Sequence, residues 1–227
     1  IHAALEKFVD AFPKDLPPDA EEHLRAFGKK ALVDLRISPE VEAFWWPRFE
    51  KVVDQFIGQE RAWRETATPH LAETSGRLQI ETPGGPFTLT GKADRIDRLR
   101  TGAYAIIDYK SGYVPKPADV KAGLAPQLGL EAMMLEKGAF DAIRQGIVDD
   151  LIYWKVSGSG QTPVEFKSVL TKDTTVRDLV DQASDGLRAL IAASQAASAT
   201  LASVSGGALA LLTVTLPDPT GYGRIVR

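Results

Sequence analysis

Two neighbouring stretches, Gly91-Lys92-Ala93-Asp94-Arg95-Ile96-Asp97 and Ile106-Ile107-Asp108-Tyr109-Lys110-Ser111-Gly112, carry acids and a lysine where β-strands normally carry Val or Ile. Arg100-Thr101-Gly102 between them is a turn signal, so the pair reads as a β-hairpin. With a loop of about three residues and Gly102 in the left-handed region, Leu99 faces Ala103 and Asp94 falls opposite Asp108. Alternation then sets Asp108 and Lys110 on one face with Asp94. Two opposed carboxylates repel each other unless a cation lies between them, and such hard oxygen donors suit Mg²⁺ or Mn²⁺.

The rest of the chain must build the scaffold for that hairpin. Leu5, Phe8, Val9 and Phe12 recur at helical spacing up to Pro13, with His2 and Glu6 one turn apart. Pro17 to Leu35 reads as an amphipathic helix in which His23 is solvated. Ser38-Pro39-Glu40 opens a long helix to about Glu65, broken or kinked at Pro47. Its stripe of Phe44, Trp45, Phe49, Val52, Val53, Phe56 and Ile57 reads as core packing, and Arg48, Lys51, Arg61 and Arg64 as an ordinary exposed face.

After His70, around which nothing resembles a ligand set, and the polar connection that follows it, Arg77–Glu81 and Phe87–Leu99 read as strands around the turn Pro83-Gly84-Gly85-Pro86. With Ala103–Lys110 they form an antiparallel meander, to which Asp149–Val156 adds a fourth member. Between these lie a short helix, Lys116–Gly123, and a firmer one, from Pro126 to about Lys137, closed by Gly138. Pro163–Leu170 reads as an edge strand, because Pro163 cannot donate to a ladder. Val176 to about Val204 reads as a long Ala- and Ser-rich helix ending before Gly206-Gly207. Ala208–Leu216 reads as a last strand or buried strip, and Pro217–Arg227 as a tail or linker.

Gly91-x-x-Asp94, Asp108-x-Lys110 and the downstream Gln127 resemble the motifs of the PD-(D/E)XK nuclease superfamily, in its RecB-like branch. Asp108-Tyr109-Lys110-Ser111-Gly112 and Pro126-Gln127-Leu128 look most like the nuclease domain at the C-terminal end of AddB-type subunits, which work with AddA in double-strand-break repair. The matched motifs run from His2 to about Gln127.

The resemblance implies an α/β (α+β) fold with a restriction-endonuclease-like core: a central mixed sheet flanked by helices, an N-terminal helical layer and a long C-terminal helix. It implies one nuclease domain over 1–227, with a helical region over 1–75, a catalytic core over 76–170 and a C-terminal helix and tail over 171–227. It also implies a Mg²⁺- or Mn²⁺-dependent DNA exonuclease acting with a helicase partner, with Asp94, Asp108, Lys110 and Gln127 as the catalytic set. His2, Asp94, Asp108 and the Tyr109 carbonyl would then be the metal ligands. Lys92, Arg95 and Arg98, on the same hairpin, are candidates for DNA phosphate contacts. The family often carries an aromatic residue one turn after the glutamine, and here Glu131 stands in that place.

Composition sets the outer limits. At 227 residues, 44% of them hydrophobic and 25% charged, the chain can bury one good core and is not a disordered segment. The absence of cysteine excludes disulfides, zinc-thiolate sites and a cysteine-ligated iron–sulfur cluster, and it fits a reducing cytoplasm. A net charge of −3 argues against a protein that coats DNA by electrostatics alone, so basic residues would have to gather along one groove. No secretory pattern, long apolar run, Walker loop or HExxH motif is present. The chain opens on Ile1 inside a helix and reads as a piece of a longer polypeptide. A DNA-binding or scaffolding module with a decayed site, and a stand-alone nuclease of a defence system or mobile element, remain open as alternatives.

Overall fold

The structure is a computed structural model that describes residues 1–160 and 162–203, with side chains placed to residue 196. The break at Gly206-Gly207, the strip 208–216 and the tail 217–227 lie outside the described residues. The element order is α1 His2–Ala11, α2 Ala20–Asp34, α3 Pro39–Arg64, β1 Ala67–Ile80, β2 Phe87–Leu99, β3 Tyr104–Lys110, α4 Pro117–Lys121, α5 Gln127–Glu136, β4 Val148–Val156, β5 Val164–Ser168 and α6 Val176–Ser203. The strands form one mixed sheet in the order β1-β2-β3-β4-β5.

The hairpin register follows from its turn. Gly102 takes a φ of +90°, the Leu99 N–H donates to the Ala103 carbonyl at 2.8 Å, and Arg98 pairs Tyr104, Asp97 pairs Ala105 and Arg95 pairs Ile107. One step beyond the last pair, the same register sets Asp94 opposite Asp108. The fourth strand does not extend the antiparallel meander: β4 pairs β3 in parallel, because the chain leaves the end of β3 and returns through α4 and α5. β1 starts at Ala67 rather than Arg77, so the expected polar connection is the outer part of an edge strand. A register shift between Pro69 and Leu71 and a positive φ of 50° at Glu73 interrupt the alternation that would have revealed it.

Strand alternation divides the interior into two packed faces. Ala105, Ile107, Tyr109, Ile152 and Trp154 lie under α1 and α3, against Leu5, Phe8, Val52 and Phe56. Ile106, Leu151 and Tyr153 turn to the other side, against Leu128 and Met134 of α5 and Leu179 and Val180 of α6. α3 runs unbroken through Pro47. Ala43, whose carbonyl loses its helical partner there, is exposed, so water can take the bond. The fully buried residues of α3 begin at Phe49, with Trp46 partly buried against them, whereas Phe44 and Trp45, expected inside, are 58% and 42% exposed.

α5 and α6 approach closely at Gly129, where an added Cβ would lie 2.7 Å from the Leu179 carbonyl and 3.0 Å from the Ala183 Cβ. Helix propensity alone favours Ala over Gly by about 1 kcal/mol. The obstacle is main chain rather than a flexible side chain, and overpacking costs about 1–3 kcal/mol. Gly129→Ala is therefore expected to lower stability by about 1 kcal/mol, read as a reduced urea midpoint with an unchanged slope. Among the described residues, no helix is long and apolar enough to cross a membrane.

Candidate active site

The C-terminal end of β3 meets the first turns of α1 and α5, and that junction gathers most of the residues singled out in the sequence. The Asp94 carboxylate replaces a ladder bond by accepting the Tyr109 N–H at 2.9 Å. From the start of α1, the His2 imidazole Nε2 lies 2.7 Å from the Tyr109 carbonyl oxygen and 3.9 Å from Asp94. The 2.7 Å contact is a hydrogen bond in the tautomer that carries its proton on Nε2. The Lys110 ammonium donates to Asp108 Oδ1 at 3.0 Å and to Gln127 Oε1 at 3.0 Å. Gln127 in turn donates through Nε2 to Asp108 Oδ1 at 2.5 Å. Asp94, Asp108, Lys110, Gln127, His2 and the Tyr109 main chain thus share one neighbourhood.

The phosphate contacts expected of the hairpin do not hold together. Arg95 is fully buried, because its odd position on β2 turns it to the face that α3 covers, opposite to Asp94. Its guanidinium forks onto Asp97 at 2.7 and 2.7 Å, onto Glu60 at 2.8 and 3.0 Å, and donates to the Tyr109 hydroxyl at 3.1 Å. All of its donors are spent, and none faces solvent. Arg98 is exposed but lies near the turn, four positions along β2 from Asp94 and on the order of 13 Å away. Lys92 is exposed and ion-paired with Glu73, so a phosphate would have to compete with that carboxylate.

Two acids that the sequence did not assign to the site lie beside it. Glu73 stands across β2 from Asp94, between the pairs Ala72↔Arg95 and Thr74↔Ala93; the irregular backbone around it hid its strand position. Glu131, the substitute for an aromatic residue, is 5% exposed and accepts the Gln127 amide at 3.1 Å. Its i+4 spacing from Gln127 was the available signal.

Burial pushes the Asp108 carboxyl up to about 6, against the pull of Lys110. Burial, reinforced by Asp108, pushes the Glu131 carboxyl up to about 8. Asp94 is also raised by burial, partly offset by the Tyr109 amide. A carboxyl raised in the folded state holds a proton that the unfolded chain releases, so stability falls as pH rises between the two values. For Glu131 that window runs from its ordinary 4.5 to about 8. In metal-free buffer, Glu131→Gln is therefore expected to raise stability at pH 8.5 by on the order of a few kcal/mol. The gain should vanish near pH 4.5, and melting curves taken across that range check it.

The donors suit a hard divalent cation. Glu131 Oε2 is a buried oxygen without a hydrogen bond, and the buried Asp108 Oδ2 faces the Lys110 ammonium at 2.8 Å. Among the described residues, no three His, Cys, Asp or Glu side chains form a ready-made metal cluster.

This arrangement can be set beside known proteins. An uncharacterized protein of Rickettsia felis is 24% identical over 177 residues, covering 76% of this chain and 21% of that protein. An uncharacterized protein of Rickettsia bellii is 25% identical over 141 residues, covering 62% of this chain and 17% of that protein. The chain thus spans about a fifth of the length of these curated relatives. Among solved structures, the crystal structure of SSO0001 superposes with a TM-score of 0.33 at 13% identity, over 81% of this chain and 83% of that one. The profile of the PD-(D/E)XK nuclease superfamily matches residues 1–204, a span that takes in α1, the hairpin and α5, and the chain belongs to that superfamily.

Proposed function

We propose that this chain is the metal-dependent DNA-cutting unit of a DNA-end-processing enzyme: a Mg²⁺-dependent exonuclease working beside a helicase in double-strand-break repair. The observation that carries the cutting chemistry is the convergence of Asp94, Asp108, Lys110 and Gln127 at one end of the sheet. The helicase partner and the repair setting rest on the likeness of Asp108-Tyr109-Lys110-Ser111-Gly112 and Pro126-Gln127-Leu128 to AddB-type sequences.

Asp94, Asp108 and the Tyr109 carbonyl would hold the Mg²⁺ or Mn²⁺ ion, which when bound neutralises charge on the phosphate and eases ionisation of a water. Contacts to Asp108 and Gln127 hold the Lys110 ammonium where its positive charge can meet the attacking water or a non-bridging phosphate oxygen. Gln127 bridges Lys110 and Asp108, so charge and acceptor stay in fixed relation as the new P–O bond forms and the ester bond breaks. Water supplies the hydroxyl that remains on phosphorus and the proton that the leaving alkoxide takes up.

Incubation of the full chain with end-labelled linear DNA and Mg²⁺ should release nucleotides, and EDTA should stop it. Covalently closed circles should survive if the action is exonucleolytic. No cleavage of single- or double-stranded DNA with either Mg²⁺ or Mn²⁺ would overturn the reading.

A further inference from the structure

The first half of α3 exposes aromatic surface that no core absorbs. Phe44 and Trp45 are 58% and 42% exposed, and Val41 and Leu35 beside them are also open. Trp45, Val41 and Leu35 line a groove of about 250 Å³ that also takes in Trp46, Ile37, His2 and Ser111, and Phe44 stands edge-on to Trp45 with ring centres 6.0 Å apart. His2 contacts the Tyr109 carbonyl, and Ser111 follows Lys110 directly. The groove therefore opens onto the catalytic residues.

Cations are interleaved with the rings. The Arg48 guanidinium lies 4.0 Å from the centre of the Phe44 ring and 5.3 Å from that of Trp45. Among the described residues Arg48 makes no ion pair, so its charge is available to a phosphate. Lys29 sits 3.8 Å over Trp46, although Glu42 already holds it at 2.7 Å. Exposed rings with an unpaired guanidinium between them suit unpaired bases, which stack on any π-face while their phosphates meet the cation. Paired bases inside a duplex present no free face to such a surface.

We propose that Phe44, Trp45 and Arg48 form a base-stacking platform that holds single-stranded DNA and leads it along the groove to the site between Asp94 and Lys110. This deepens the nuclease reading and rests on it: the preferred substrate is an unpaired end.

The test uses the full chain in EDTA, where nothing is cut, and measures the anisotropy of a labelled 15-nucleotide oligo(dT) and of a blunt duplex. Phe44→Ala/Trp45→Ala should weaken oligo(dT) binding about 10- to 100-fold and leave duplex binding unchanged. Trp45→Phe should retain most of the affinity, and the exposure of both side chains lets thermal melts confirm that the variants fold. Unaltered oligo(dT) affinity in the double variant would overturn the platform. So would shielding of Trp45 from acrylamide in the DNA-free full chain, since another stretch of polypeptide would then occupy the groove. Cleavage by the unmodified chain without a binding difference removes the platform alone. A binding difference with no cleavage removes the nuclease reading and leaves a single-strand binding site.

Discussion

Asp108→Asn is expected to lower Mg²⁺-dependent DNA cleavage by roughly 10³-fold or more, the scale on which removal of one preorganised charged group acts in a water-poor site. The loss should occur in a folded protein. The Asp108 carboxyl is 2% exposed and burial raises it to about 6, so at pH 7.5 the neutral amide relieves a desolvation cost. Melting temperature in EDTA should therefore stay level or rise. Millimolar Mg²⁺ should stabilise the unmodified chain by mass action and leave the variant unmoved, which separates lost metal binding from lost structure. Lys110→Ala should retain the Mg²⁺-induced stabilisation while losing cleavage by roughly 10²–10³-fold. Cleavage at the unmodified rate in Asp108→Asn would remove that residue from the site.

Arg95→Met has the largest expected effect on stability, a loss of about 3–5 kcal/mol, because breaking a buried ion-pair set from one side leaves uncompensated charge behind. Glu60 and Asp97 are both fully buried. After the substitution Glu60 would keep only the Arg64 guanidinium at 2.6 Å, and Asp97 only the Trp63 indole N–H at 2.7 Å. Urea unfolding measures the loss. Arg95→Lys should recover little of it, since a single ammonium cannot reproduce a fork onto two carboxylates. The effect should also reach the reaction. The Tyr109 hydroxyl loses its Arg95 donor, and the main chain of that tyrosine carries both the Asp94 and the His2 contacts. Where the variant still folds, cleavage is expected to fall about 10–100-fold, as for other groups that orient site residues from behind.

The hairpin at the centre of the site was legible in the sequence because its determinants are local. Gly102 sets the turn, the turn sets the register, and the register brings Asp94 to Asp108. The starts of α5 and α6 were equally local, marked by Pro126 and by the run from Val176. The parallel entry of β4 was not, since the run Leu151-Ile152-Tyr153-Trp154 is apolar whichever way the strand runs; the intervening helices decide it. Arg95 was misassigned for a related reason. Alternation separates it from Asp94 but cannot tell that α3 lies across its face. A signal existed, because Glu60 continues the buried stripe of Val53, Phe56 and Ile57 at helical spacing, and an acid there requires a buried cation. Phe44 and Trp45 show the opposite limit: helical periodicity says which way a ring points and nothing about whether another element meets it.

The shielding of one sheet face by α1 and α3 fixes how far this cutting unit can be trimmed for transplantation into other proteins. A chain cut back to Ala67 would keep every acidic and basic group of the hairpin and of α5, yet forfeit His2 and strip the cover from Ile152, Trp154 and Val156. Such a remnant would present a broad greasy plane to water and clump rather than cleave. A portable module therefore has to keep α1 and α3, helices that carry none of the Gly-x-x-Asp and Asp-x-Lys motifs by which such nucleases are recognised.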